Sequence, residues 1–416
     1  MVIKNSLIYI FSSAFSKAVP FLLLPLFTTL LTPEEFGIFS IYQVLLVFFT
    51  ALIGMSLQTS ITVNFFKVDQ IELAGYFNSI FFILFLNLTL FFLIFCTIDY
   101  FFENFFSIDF TYFYIILPLV LFTVMVEIYT SILRNQQKAI NFFMIEVVGT
   151  ILKYLLILLF MVFFEKGWLS FIYGNLIGLS LIALYGFQYL IKQKLINFKV
   201  GISKIKIKKI LKLCAPLIPH AIGIMIISLS DRLFIEKLVS VEAVGIYAVA
   251  YSFGIIVSLF SDALIKAWSP WFYSKINMYD HKLDLKIVRC IYIYIFLILS
   301  FSGFIYILAY YLIPIMTVDK YHAAIDFVYW IALAYSIQGI YKIFFPFLVF
   351  YSKTRYLAIT SLFSAVVCFL GNLIFIKEFG VVGAAYSTII AFGLNTVFVV
   401  FIALRQRKLP WFALID

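Results

Sequence analysis

Long apolar runs alternate with short polar gaps along the whole chain. Twelve runs can be drawn: residues 7–30, 37–65, 73–98, 111–133, 139–164 and 168–190, then 213–238, 243–267, 288–313, 325–350, 356–376 and 381–404. Each is about as long as the roughly 20 residues a helix needs to cross the hydrocarbon core of a bilayer. No gap is long enough for a separate soluble domain. The pattern predicts an all-α polytopic membrane protein with about twelve transmembrane helices. The first run lacks a small-residue cleavage site after a short core, so it reads as a retained helix and not as a signal peptide. Composition agrees: 65% of the residues are hydrophobic and 12% charged, whereas about a quarter of a soluble domain is charged.

Charge adds an orientation. With the amino terminus placed inside, the inner gaps hold Lys4, Lys67, Arg134, Lys138, eight lysines from Lys192 to Lys212, Lys275, Lys282, Lys286, Arg289, Lys353, Arg355, Arg405, Arg407 and Lys408, which is 21 cations. The outer gaps hold four: Lys166, Lys237, Lys320 and Lys377. Lys and Arg accumulate on the cytoplasmic side of membrane proteins, so both termini are expected there. The outer gaps lean acidic, with Glu34, Glu35, Asp99, Glu103 and Asp109. The net charge of +10 is therefore a topology signal, and no nucleic-acid partner is inferred from it.

The two halves echo each other. Leu31 through Phe39 reads L-T-P-E-E-F-G-I-F, and Val239 through Tyr247 reads V-S-V-E-A-V-G-I-Y, an offset of 208 in a chain of 416 residues. Near the end of each half, Gly167–Tyr173 (G-W-L-S-F-I-Y) is echoed by Gly380–Tyr386 (G-V-V-G-A-A-Y). Internal repeats are common in transporters. Six runs per half is an even number, so both halves start on the same side and the pseudo-twofold axis is expected along the membrane normal. The expected division is an N-terminal six-helix lobe over 1–191, a basic cytoplasmic connector over 192–212 and a C-terminal six-helix lobe over 213–416. Two such lobes would rock about a cleft between them. The connector carries no acid and reads as a solvated tether near anionic lipid; its Ile-Lys alternation does not decide between strand and helix.

Charge inside the runs is the candidate chemistry, because a Lys or Arg at membrane depth costs about 2.5–3.5 kcal/mol on insertion scales. Lys17, Lys153, Arg232, Lys266 and Lys342 lie there. Lys17 and Lys153 sit near mid-span with no acid four residues away and are expected to face a polar cavity; Lys342 and Arg232 are further cavity candidates. Lys266 can snorkel to the inner interface and has Asp262 four residues earlier as a local partner. The embedded acids are Glu127, Glu146, Asp231 and Asp262. Each could serve an interhelical ion pair or take a coupling proton. Glu146 and Lys153 are seven apart and share one helix face. Pro20 and Pro25 in the first run and Pro216 and Pro219 in the seventh are matched candidates for hinges. His220, next to Pro219, reads as an interhelical hydrogen-bonding group. Cys96, Cys214, Cys290 and Cys368 lack metal or redox spacing and read as small core residues. There is no paired His cluster, phosphate-cradling Gly loop or Ser-His-Asp set, so neither an enzyme nor a cofactor is expected, and the expected metal site is none.

Taken together, the twelve runs, the repeat, the embedded cations, P-E-E-F-G-I-F at 33–39, Ser230-Asp231-Arg232 with V-G-I-Y at 244–247, and G-V-V-G-A-A-Y-S-T at 380–388 resemble the polysaccharide-flippase branch of the multidrug/oligosaccharidyl-lipid/polysaccharide (MOP) exporter superfamily. Within it the resemblance is to bacterial O-antigen and capsule repeat-unit flippases. It implies a MATE/MOP-like fold of two six-helix bundles in the bacterial cytoplasmic (inner) membrane. It also implies alternating-access translocation of an undecaprenyl-diphosphate-linked oligosaccharide, with membrane lipids, a polysaccharide polymerase and a chain-length regulator as further partners. Coupling to an H+ or Na+ gradient would supply the energy. A MATE-like drug or cation antiporter on the same fold is one alternative, though Lys17 stands where a cation carrier should show an acid. A membrane-embedded polymerase or glycosyltransferase is another, disfavoured by short outer loops.

Overall fold

The computed structural model describes residues 2–65, 67–101, 109, 111–197, 200–215, 217–276, 281–351, 353–407 and 409–411. Pro216, Lys199, Lys408, Glu103 and most of the outer loop 99–110 lie outside the described residues, as do the side chains of Lys4 and His220. Among the described residues there is no strand.

Sixteen α-helices follow in order: α1 (Val2–Leu22), α2 (Leu24–Leu30), α3 (Pro33–Gly54), α4 (Leu57–Asn64), α5 (Gln70–Phe101), α6 (Thr111–Asn135), α7 (Ala139–Phe143), α8 (Gly149–Phe163) and α9 (Leu169–Lys192), then α10 (Lys204–Cys214), α11 (Leu217–Leu238), α12 (Val241–Lys275), α13 (His281–Met316), α14 (Ile325–Phe350), α15 (Thr354–Phe379) and α16 (Val381–Gln406). A π turn, Met144–Val148, joins α7 to α8, and a 3₁₀ segment, Asp319–Ala324, leads into α14. Eleven helical spans among the described residues are long and apolar enough to cross a membrane. A further helix, α11, is 22 residues long and carries Asp231, Arg232, Glu236 and Lys237 in its second half. The protein is thus an all-α polytopic membrane protein.

The helix boundaries follow from local chemistry. Proline cannot donate the i→i−4 hydrogen bond and is tolerated in a first turn. Accordingly α1 ends two residues after Pro20, and α2 restarts with Pro25 in its first turn. Leu23 bridges the break, its amide bonded to the Val19 carbonyl at 3.0 Å. The start of α3 is a capping box: the Thr32 Oγ1 accepts from the Glu35 amide at 3.2 Å, and the Thr32 amide donates to Glu35 Oε2 at 3.0 Å. Its repeat partner, Ser240, caps α12 by accepting from the Ala243 amide at 3.1 Å. The second echo is also structural. Gly167 and Gly380, each the turn before the last helix of its half, have φ of 51° and 63°, where a Cβ would be strained.

Cα packing divides the chain into two compact units. The first holds Met1–Leu23 and Ile38–Ala221, so it includes the whole 192–212 connector. The second holds Leu24–Gly37 and Ile222–Asp416. The chain thus leaves the first unit at the proline-flanked break and returns at Gly37. The segment Leu24–Gly37 packs within the second unit: Tyr321 donates to the Leu31 carbonyl at 3.1 Å, and Phe36 meets the Tyr321 ring edge-on.

Within this second unit the two repeat glycines meet. A Cβ on Gly37 would strike the Val241 carbonyl, and one on Gly245 would strike the Pro33 carbonyl. Pro33 and Val241 are themselves 208 residues apart, so the crossing is symmetric in the repeat. The connector's undecided segment is a helix: α10 packs Ile210 and Cys214, both 0% exposed, against α4 and α5. Cys214 and Cys368 are core residues as expected. Cys96 is exposed and Cys290 half-buried, on long apolar helices whose outer faces would meet lipid.

Candidate functional site

The embedded charges gather into three groups. In the first unit they come from α1, α6, the π turn and α8. The π turn widens the helix around Glu146, and Ser16 of α1 donates to the Glu146 carbonyl at 3.0 Å. Thr150 donates to Ser16 at 3.0 Å. This relay ties α1 to the turn and brings Lys17, the next residue, to the same region. Glu146 lies within electrostatic reach of Arg134, Lys153 and Lys17. Glu127, seven residues before Arg134 on α6, also feels Arg134.

Lys153 is half-buried, with its ammonium 5.0 Å from the Tyr154 ring centroid. Gly178 of α9 packs directly on the Lys153 backbone, so a small residue sets how closely α9 approaches here. Lys17 is exposed. Within the spans the group holds two cations, Lys17 and Lys153, and two carboxylates; Arg134, in the last turn of α6, adds a third cation at its edge.

The other two groups lie in the second unit and are internally neutral. Asp231 and Arg232 are 1% and 5% exposed and form an ion pair of 3.3 Å. Tyr247 donates to the other oxygen of Asp231 at 2.8 Å. The Arg232 guanidinium lies over the Tyr251 ring, 3.9 Å from its centroid, a cation–π contact. Tyr251 in turn bonds the Ser228 carbonyl and the Tyr335 hydroxyl. Buried charge persists only when paired and hydrogen-bonded, and this cluster meets both conditions.

The third group links α12 to α14. The Lys342 ammonium reaches Asp262 Oδ1 at 2.7 Å and donates to Ser258 at 2.9 Å. Ser258 donates onward to Gln338 at 3.3 Å. The pair is partly open, the two side chains being 19% and 38% exposed.

The candidate cavity cations Arg232 and Lys342 each have a carboxylate partner in their own unit, Asp231 and Asp262. One expectation changes. Asp262 was expected to serve Lys266, four residues on; its partner is Lys342, eighty residues away. A surface i,i+4 pair contributes only about 0.2–0.5 kcal/mol, and an interhelical pair with two hydrogen bonds outweighs it. Glu146 and Lys153 lie within electrostatic reach of each other but form no ion pair. Pro20 and Pro25 flank a helix break, and Pro219 lies in the first turn of α11.

Arg134, Ser16 and Thr150 join the first group without having been singled out by sequence. The i,i+7 spacing of Glu127 and Arg134 was the available signal for the arginine. Tyr247 was visible only as a repeat letter. Its counterpart 208 residues earlier is Phe39, and the extra hydroxyl is the atom that bonds Asp231.

Comparison with known proteins places this architecture. Residues 2–277 match the polysaccharide biosynthesis protein family. Over 294 residues the chain is 28% identical to an uncharacterized membrane protein of Haemophilus influenzae, covering 68% of this chain and 67% of that one. Among solved structures, an inward-facing multidrug resistance MATE family transporter of the MOP superfamily superposes with a TM-score of 0.74 at 15% identity, over 94% of each chain. The lipid II flippase MurJ, in an inward closed conformation, superposes with a TM-score of 0.72 at 16% identity, over 96% of this chain and 87% of that one. The fold is the one these proteins share.

Proposed function

The chain belongs to the polysaccharide biosynthesis protein family, and from that premise we propose that it is a flippase for an undecaprenyl-diphosphate-linked oligosaccharide. The cargo is carried by alternating access from the inner to the outer leaflet of the bacterial cytoplasmic membrane, to serve O-antigen, capsule or a related cell-surface polysaccharide. Both termini are cytoplasmic. We assign the protein transport and not enzymatic chemistry.

The observation that carries the reading is the charge balance of the first unit. Lys17 and Lys153 lie within membrane spans and balance Glu127 and Glu146, while Arg134 in the last turn of α6 tips the group positive. A diphosphate headgroup cannot cross hydrocarbon unaided, and cations held at depth would stabilise it by charge-assisted hydrogen bonds. The two carboxylates are the groups to which a proton or sodium gradient would couple. A polysaccharide polymerase and a chain-length regulator would act on the cargo afterwards. A drug or cation antiporter on the same fold is supported by the MATE-like superposition. Exposed Lys17 in α1 argues against it, because a cationic cargo would be repelled there.

The test is a deletion strain assayed for lipid-linked oligosaccharide in each leaflet. Deletion should leave the intermediate accessible only from the cytoplasmic side, and the plasmid-borne gene should restore it to the outer leaflet. Unchanged outer-leaflet delivery in the deletion strain, with drug efflux lost instead, would sink the reading in favour of the antiporter.

A further inference from the structure

An apolar pocket of about 670 Å³ lies within the first unit, between α5, α6, α9 and the start of the connector. Phe81, Phe82, Phe85, Phe122, Met125 and Phe187 are among the residues of its wall. It runs along α5 from Asn78 to Phe85, about 10 Å at 1.5 Å per residue. Its one amide lining group is committed elsewhere: Asn78 Nδ2 donates to the carbonyls of Asn197 at 2.9 Å and Val200 at 2.6 Å. These bonds pin the connector against the pocket. Pockets of this size usually mix apolar walls with a few free polar groups that orient a ligand. Here the named wall is hydrocarbon and aromatic, so the fitting occupant is a chain of methylene groups.

The chain that follows the pocket-lining segment is strongly basic. The connector leaves the pocket at Ile202 and enters α10 two residues later. Lys206 fixes that helix to the first turns of α5, donating to the Glu72 carbonyl at 2.7 Å with its ammonium 5.3 Å from the Tyr76 ring centroid. Tyr76 is two residues before Asn78. Lys204, Lys208, Lys209 and Lys212 remain exposed on the outer side of α10, beside exposed Ile205 and Leu211. Two acids lie nearby: Asp69 accepts from the Glu72 amide at 2.7 Å, capping α5, and Glu72 is exposed. A helix with one face packed and the other carrying lysines among apolar side chains is the form that lies in a bilayer interface and attracts anionic headgroups.

We propose that this is a binding site for one anionic membrane phospholipid: an acyl chain enters the aromatic pocket and the phosphate rests on the lysines of α10. The site is separate from the embedded charges assigned to cargo and does not depend on that assignment. The pocket suits an acyl chain and is too small for a whole undecaprenyl chain. Charge complementarity selects the headgroup, since residues 192–212 contain no acid. A lipid seated here would tie α10, and with it the connector, to α5, α6 and α9.

The full chain is placed in nanodiscs of phosphatidylcholine with a trace of phosphatidylglycerol bearing a diazirine in one acyl chain. After illumination, peptide mapping should find adducts concentrated on Phe82, Phe85 and Met125. A phosphatidylcholine probe with the same chain should label them far less. Replacing Lys204, Lys208, Lys209 and Lys212 together by Gln should lower labelling by the anionic probe at least about tenfold, given the surface attraction each lysine contributes. Met125→Trp should block the pocket and abolish the adducts there. Equal labelling by both headgroups, adducts spread evenly over the lipid-facing helices, or labelling unchanged in the lysine variant would overturn the site. Displacement by a polyprenyl phosphate but not by unlabelled phosphatidylglycerol would give the pocket to the carrier lipid and also overturn it.

Discussion

At the residue scale, the embedded charges separate by whether a carboxylate already satisfies them within their own unit. Asp231 and Arg232 are a closed system. Removing one partner leaves the other buried and unpaired, at a cost of about 3–5 kcal/mol, whereas removing both can be nearly neutral. Arg232→Met alone should therefore lower thermal stability in detergent far more than Arg232→Met combined with Asp231→Asn, which keeps an acceptor for Tyr247. Equal losses in the two variants would show that the pair is not the unit of stability. Lys17 and Lys153 belong to a group with excess positive charge. Hydrogen bonds to a charged partner contribute about 1.5–3 kcal/mol, so Lys17→Ala or Lys153→Ala should cut export of the lipid-linked sugar about tenfold or more. Membrane abundance should not change. Lys→Arg at either site should retain more activity than Ala, because the charge persists with altered geometry. Lys266→Ala should do less than either. Normal export by both Ala variants would dismiss the cationic mechanism while leaving the family untouched. The identity of these cations was legible in the sequence, because charge in an apolar run stands out by itself. Their partners were not, because Lys342 and Asp262 meet across two helices and nothing local announces the meeting.

At the scale of the element, hydropathy located the membrane helices, and turn chemistry explains their ends. The Thr32 and Ser240 caps and the Gly167 and Gly380 turns sit in the two sequence echoes, so the repeat was readable where it governs backbone geometry. The π turn at Met144–Val148 was not. It changes a helix by one residue per turn, which leaves the hydropathy of residues 139–164 unaltered, and its carbonyl partner Ser16 comes from a helix 130 residues away. The break between α1 and α2 was foreshadowed by Pro20 and Pro25, but the assignment of Leu24–Gly37 to the second unit was not. That assignment depends on long-range contacts, among them the crossing of Gly37 and Gly245. At that crossing the backbones touch, and neither position can accept a side chain without displacing a carbonyl. Gly37→Leu and Gly245→Leu should each destabilise the protein by at least the roughly 1–3 kcal/mol typical of overpacking, seen as a lower melting temperature. Gly303→Leu, where a Cβ meets nothing within 4 Å, is the control and should melt close to the parent. Matching melting temperatures for all three would refute the close crossing.

At the scale of the whole molecule, the orientation rests on charge, while the separation of two sites across the membrane rests on geometry. Helix α5 has 32 residues, about 48 Å at 1.5 Å per residue, and so outspans a hydrocarbon core of about 30 Å. Its first turns hold α10 through Lys206, so Lys204 belongs to the side where α5 begins. Asp109 lies just before α6, beyond the far end of α5, and caps α6 by accepting from the Thr111 amide at 2.8 Å. Lys204 and Asp109 must therefore face opposite compartments whichever way the protein is inserted. The direction expected from 21 cations against four would put Lys204 inside. The experiment replaces Cys96, Cys214, Cys290 and Cys368 by Ala and introduces Lys204→Cys or Asp109→Cys, one at a time. In intact cells an impermeant thiol reagent should modify the cysteine at 109 and spare the one at 204; permeabilised cells should show both modified. Labelling at 204 but not 109 would reverse the orientation and with it the direction of transport, while leaving the helix count intact. Labelling of both in intact cells would break the geometric argument itself, because α5 would then not separate the two sites across the bilayer.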